Sequence, residues 1–387
     1  MDMNCSQTPW PTNEDYLRAF NKKVTQRRIP LSGTLALTHR CNLKCVHCYL
    51  GEQTSSSENL EKELDTTQWK HLIDEITEAG CLYLLITGGE PLLRDDFNDI
   101  YRHAKTNGLL VTLFTNGTLI TENTLALFDE LPPKTVEISL YGATRETYER
   151  ITRVRGSYEK CIKNIRRLID FKINVKLKTL LMRLNQHEFF DMENMAKAYG
   201  IKFRFDSAVF PGIDGDRAPL RLRVDVEDAV EKEFSDHHRF RQWKDYYKRM
   251  RDLPVSDNLY PCGAGLTHFH IDPFGNLQPC LMVTGLKYNL INGNTNINSR
   301  FLTGWKEIIP RIREKKAGTD NPCYTCEKRT LCSFCPAFFK LENGKEDLCS
   351  EYLCAMGQLR FEKINEALII GDHSENEAKN GYEQKEI

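Results

Sequence analysis

The chain has 387 residues, 40% of them hydrophobic, which supplies one large core and a smaller one. Its 53 basic and 54 acidic residues leave a net charge of −1, so bulk attraction predicts neither a nucleic-acid nor a membrane-surface partner. The N-terminal MDMNCSQTPWPTNED lacks the segments of a secretion signal, and no apolar run reaches the roughly 20 residues that span a bilayer, so a cytoplasmic protein is expected. Thiols stay reduced there, and 14 cysteines then predict metal or redox chemistry before disulfides.

Residues 1–33 form an N-terminal extension. From 34 to 210, β-rich runs alternate with amphipathic helices. The predicted strands are GTLALT (33–38), LYLLIT (82–87), LLVTLFT (109–115), TVEISLY (135–141), NVKLKTLLM (174–182) and FRFDSAVF (203–210). The clearest helix is DTTQWKHLIDEITEAG, with Asp65 as cap, Gln68 at the capping-box position, and Trp69, Leu72, Ile73 and Ile76 on one face. A second, SYEKCIKNIRRLIDF, lines up Tyr158, Cys161, Ile162, Ile165 and Ile169. Six such repeats predict an α/β fold with a parallel sheet and right-handed crossovers, as an open sheet or a barrel. Residues 211–261 read as a connector, with a charged, aromatic-rich helical stretch. Residues 262–360 are cysteine-rich and built of short turns. In the polar tail, 361–387, a helical turn or two precedes GDHSENEAKNGYEQKEI, which is expected to be disordered.

Cys41, Cys45 and Cys48 directly follow the first strand, in a βα loop at the sheet edge where parallel α/β active sites collect. Thiolates this dense favour zinc or iron–sulfur. Four sulfurs close either site, whereas three leave a position for substrate. A zinc knuckle is the plainer reading of the three alone. Gly88, Gly89, Glu90 and Pro91 follow the second strand; glycine lets backbone approach a ligand, and Glu90 is placed to meet a cationic amine. TNG (115–117) and ISLYG (138–142) follow strands three and four and put Asn116 and Ser139 at the same rim, although turns alone use such residues.

C-x3-C-x2-C followed by Tyr49, with GGEP one β–α unit later, resembles the radical S-adenosylmethionine (SAM) superfamily. That resemblance implies a partial (β/α)6 TIM-like barrel over about 35–210. It implies that Cys41, Cys45 and Cys48 hold a [4Fe–4S] cluster whose fourth iron binds SAM, and that reductive cleavage gives a 5′-deoxyadenosyl radical. Tyr49, Gly88, Gly89, Glu90, Pro91, Asn116, Ser139 and Arg153 fall to SAM binding, with Arg155 as the alternative to Arg153.

The C-terminal cysteines read C-x12-G-x4-C (Cys262, Cys280), C-x2-C-x5-C-x2-C (Cys323, Cys326, Cys332, Cys335), then Cys349 and Cys354. In isolation this suits two zinc ribbons. Behind such a core it resembles a SPASM domain, a small cysteine-rich Fe–S-binding unit with two auxiliary [4Fe–4S] clusters. The x2 gap between Cys332 and Cys335 departs from the family's x3. The resemblance gives Cys262, Cys280 and Cys335 to the cluster nearer the active site, and Cys323, Cys326 and Cys332 to the distal one. Cys354 fits the distal fourth position better than Cys349, which is either the nearer cluster's fourth ligand or free. Cys5, Cys81 and Cys161 carry no motif, and Cys161 is expected to pack.

The same resemblance implies an oxidoreductase that cross-links or oxidises side chains of a ribosomally made peptide. It would use an electron donor such as flavodoxin or ferredoxin. With some 33 residues ahead of the first strand, a separate leader-binding protein or direct peptide binding is expected. The alternatives are a small-molecule enzyme trimming tetrapyrrole side chains, a sulfatase-maturase-like oxidase, and a metal-stapled binding protein without turnover. The sulfatase-maturase pattern needs an acid after a SPASM cysteine, yet Leu281 and Met282 follow Cys280. Asp206, Asp214, Asp216 and Asp272 are candidate bases.

Overall fold

The structure, a computed structural model, describes residues 12–51, 60–251, 257–291, 300–318 and 321–383. Cys5 lies outside the described residues. Strands β1 (Ser32–Ala36), β2 (Tyr83–Thr87), β3 (Leu110–Thr115), β4 (Thr135–Ser139), β5 (Val175–Leu180) and β6 (Lys202–Asp206) pair in parallel in that order. Each begins within a residue of its predicted run. The reason is the alternation of the outer face: Leu35, Leu84, Ile86, Val111, Leu113, Val136, Ile138 and Leu177 are buried under the helices.

The helix Thr66–Glu78 is closed at its start as expected. Asp65 accepts from the Gln68 N–H, the Gln68 side chain accepts from the Asp65 N–H, and Trp69, Leu72, Ile73 and Ile76 are buried. In the helix Ser157–Asp170, Cys161 is buried in the apolar face, the packing role its position predicts.

The sheet does not end at β1. Strand β7 (His268–Ile271), from the cysteine-rich region, pairs with it in parallel, Ser32 opposite His268 and Leu35 opposite Ile271. Strands β8 (Asn276–Gln278) and β9 (Tyr288–Asn289) follow antiparallel. Gly33 permits the junction, because a Cβ there would stand 2.2 Å from the Phe269 ring. Phe269 packs on Phe301 and Trp305, and the Trp305 indole donates to the Arg28 carbonyl at 2.7 Å.

Two buried ion pairs tie connector to C-terminal region. Arg223 meets Glu342 with two hydrogen bonds of 2.9 and 2.8 Å, and Arg360 does the same with Glu233 at 2.7 Å. The last helix spans Glu351–Glu383. Glu, Ala and Lys in that stretch are good helix formers, and they extend a helix already nucleated on the core. Among the described residues no helix is long and apolar enough to cross a membrane.

Candidate active site

The C-terminal ends of the strands surround a cavity of about 430 Å³. Cys41, Cys45, Cys48, Tyr49, Gly88, Gly89, Asn116 and Ser139 line it, and so does Cys280 from the C-terminal region. The cysteine loop is held by backbone bonds from Lys44 and Val46 to the Thr152 and Ile151 carbonyls, both 3.0 Å. The Asn116 amide reaches Cys41 Sγ at 3.8 Å and Asn42 Oδ1 at 2.9 Å. Tyr49 packs against Phe210 with tilted rings whose centroids are 5.7 Å apart, and Tyr141 hydrogen-bonds Ser139.

Burial pushes the Cys41 thiol up to about 12 and raises Cys45 and Cys48 as well, with neighbouring thiols adding to the first two. Three neutral thiols packed together become ligands when a metal centre displaces their protons. Among the described residues no three His, Cys, Asp or Glu side chains group as a single-ion site. An iron–sulfur cluster, several atoms wide, takes thiols set farther apart, and the donor set fits one with a position left open.

GGEP is tied into the loops on either side of it. Gly89 approaches the cysteine loop: its N–H donates to the Thr38 carbonyl and that of Glu90 to the Arg40 carbonyl, both 2.8 Å. The Glu90 side chain turns away from the cavity and is fully buried. It accepts from the Thr115 hydroxyl at 2.7 Å, the Asn116 N–H at 2.7 Å and the Leu92 N–H at 3.1 Å. Burial pushes its carboxyl up to about 7. Pro91 starts the short turn behind it. A Cβ on Gly89 would meet the Arg40 and His39 carbonyl oxygens at 2.3 and 2.4 Å, both rigid backbone. Gly89→Ala is therefore expected to displace the cysteine loop and lower reconstituted iron at the first site, measured by iron content and absorbance. Iron equal to the parent's would refute this.

Arg153 does not reach the cavity. It is the exposed, left-handed cap of the helix Arg145–Thr152, and Arg155 is exposed too. The basic side chains at the cavity are Lys178 and Arg204, and the imidazoles of His268 and His270 from β7 join them. Sequence reading missed all four; the available signal was the two-residue alternation that puts Lys178 and Arg204 on the inner face of β5 and β6. Of the four candidate bases, Asp206 lines the cavity. Asp272 instead holds the turn after β7, and Asp214 and Asp216 accept from nearby loop N–H groups.

His270 is 1% exposed, its Nδ1 has no partner among the described residues, and burial drives its pKa from 6.5 to about 3. A depressed histidine stabilises the fold above its unfolded value and loses that contribution as pH falls from about 6.5 toward 3. At pH 5 the loss is about 2 kcal/mol. Melting should drop between pH 7 and 5, and His270→Gln should drop less; equal drops would count against this.

The C-terminal cysteines form two groups. Cys323, Cys326, Cys332 and Cys354 line a second cavity of about 320 Å³. Cys349 hydrogen-bonds Cys323 and Cys354, so it stands beside this group. Burial raises the thiols of Cys280 and Cys335, and Cys262 lies close enough to both to add to the effect.

A parallel partial barrel with a three-thiol loop over its cavity, and a second cysteine-rich region opening onto that cavity, defines an α/β redox enzyme. The sequence profile of the radical SAM superfamily matches residues 35–196. The chain is 30% identical over 260 residues, 66% of its length, to the antilisterial bacteriocin subtilosin biosynthesis protein AlbA of Bacillus subtilis (strain 168), of which it spans 55%. It is 27% identical over 322 residues to an AdoMet-dependent heme synthase of Methanosarcina barkeri (strain Fusaro / DSM 804), covering 78% of this chain and 89% of that one. The crystal structure of Streptococcus suis SuiB bound to precursor peptide SuiA shares the fold, with a TM-score of 0.66, 18% identity, and coverage of 92% of this chain and 83% of that one. The chain belongs to the radical SAM superfamily, and its C-terminal cysteine-rich region is SPASM-like.

Proposed function

We propose that this enzyme is a peptide maturase that oxidises or cross-links side chains of a ribosomally made precursor. Cys41, Cys45 and Cys48 would hold a [4Fe–4S] cluster that binds SAM. Cys262, Cys280 and Cys335 would serve one auxiliary cluster, and Cys323, Cys326, Cys332 and Cys354 the other. When bound, cluster and SAM supply a 5′-deoxyadenosyl radical, which can take hydrogen from an unactivated C–H bond.

The observation that carries the reading is the single cavity bounded by Cys41, Cys45 and Cys48 on one side and Cys280 on another. A substrate seated there meets both cysteine regions, which suits removal of a hydrogen and then an electron. The chain's own residues orient it: Asn116 steadies Cys41, Tyr49 and Phe210 close one wall, and Asp206 stands where a substrate proton can be accepted. AlbA's role in bacteriocin biosynthesis and SuiB's complex with a precursor peptide support the peptide class. A flavodoxin or ferredoxin donor, a separate leader-binding protein and a cytoplasmic setting belong to this reading.

Similarity to the heme synthase over 89% of its length favours tetrapyrrole processing as the second reading. Anaerobically reconstituted enzyme given the product of a short open reading frame found beside its gene should produce a peptide lighter by two hydrogens. SAM turnover stimulated by a porphyrin, with peptide mass unchanged, would replace this reading with the second.

A further inference from the structure

We propose that Lys178 and Arg204 form a carboxylate subsite on the cavity's inner wall, which seats an acidic side chain of the peptide beside the residue that reacts. This rests on the peptide reading and names a substrate chemistry which that reading leaves open. Lys178 on β5 stands in register between Ser139 on β4 and Arg204 on β6. Both cations lie at the Phe114 ring, Lys178 Nζ 3.1 Å and the Arg204 guanidinium carbon 5.5 Å from its centre. A shared aromatic face holds two like charges together ahead of any ligand.

The acid on the same face, Glu137, is already occupied. Arg204 Nε and Nη2 both donate to Glu137 Oε2, at 2.8 and 2.6 Å. Lys178 lines the cavity and, among the described residues, has no carboxylate within ion-pair reach. Burial and the adjacent Arg204 push its amine down to about 7, and the more distant carboxylates of Glu137 and Glu90 offset this only in part. A guest carboxylate restores the charged form and gains charge-assisted hydrogen bonds. Asp206, two residues beyond Arg204 on the same face, favours a singly charged guest over a phosphate.

SAM brings a carboxylate of its own, so the test is run with SAM saturating. Reconstituted protein is titrated calorimetrically with N-acetylglutamic acid N-methylamide and with its glutamine counterpart. The acid is expected to bind at least about tenfold tighter. Lys178→Met should erase that preference, and Lys178→Arg should keep most of it. Equal affinities in the unaltered protein overturn the proposal without recourse to any variant. So does a preference that appears only when SAM is left out, because the carboxylate seat is then SAM's, and so does one that survives Lys178→Met. If the acid binds as expected while no peptide is modified, the peptide reading fails and the subsite stands.

Discussion

Cys45→Ala is expected to bring 5′-deoxyadenosine formation to background. The effect should exceed the roughly 100-fold that partners outside the ligand shell are worth. Its thiol lines the cavity between those of Cys41 and Cys48, and no fourth cysteine stands in that loop to replace it. The assay is anaerobic reconstitution, a strong reductant, and chromatography of the nucleoside. Cys161→Ala, in the core away from the cavity, is the control and should keep the parent rate. Nucleoside at the parent rate from Cys45→Ala would remove the basis for calling this loop the radical-generating site.

Arg360→Ala should cost about 3–5 kcal/mol, because it leaves Glu233 buried without its countercharge. Arg360 is 4% exposed, spans both Glu233 oxygens, and also donates to the Leu331 carbonyl at 2.6 Å. Leu331 precedes Cys332, and Cys354 lies on Arg360's own helix, so the same guanidinium holds two sides of the distal cysteine group together. The variant is therefore expected to melt earlier and to lose distal iron first, readable by urea titration and iron content. Melting unchanged to within about 1 kcal/mol, with full iron, would show the pair to be dispensable.

The two cysteine groups and the six core strands were legible because spacing and outer-face alternation are local properties. Cys41, Cys45 and Cys48 announce themselves within eight residues. Lys178, Arg204, His268 and His270 did not, because a polar residue at every second strand position looks the same whether it faces water or a barrel interior. The hydrogen bonds that hold Glu90 and Gly89 were not legible, because their partners, Thr115, Asn116 and the Thr38 and Arg40 carbonyls, lie on other loops. That Arg153 and Arg155 both lie exposed, outside the cavity lining, depends on where the helix Arg145–Thr152 ends, which ITRVRGS does not reveal by itself. Strand β7 has four residues, too few for a periodicity, and its partner β1 is more than two hundred positions away.

That last pairing governs how the molecule is made. While a ribosome is still working toward residue 268, the flank of β1 has no companion strand and offers bare amide and carbonyl groups to any neighbour. Nascent chains should thus be most vulnerable to clumping just before completion, and shortened versions ending before His268 should precipitate. The six-stranded core is therefore expected to resist preparation apart from the segment that seals its first strand.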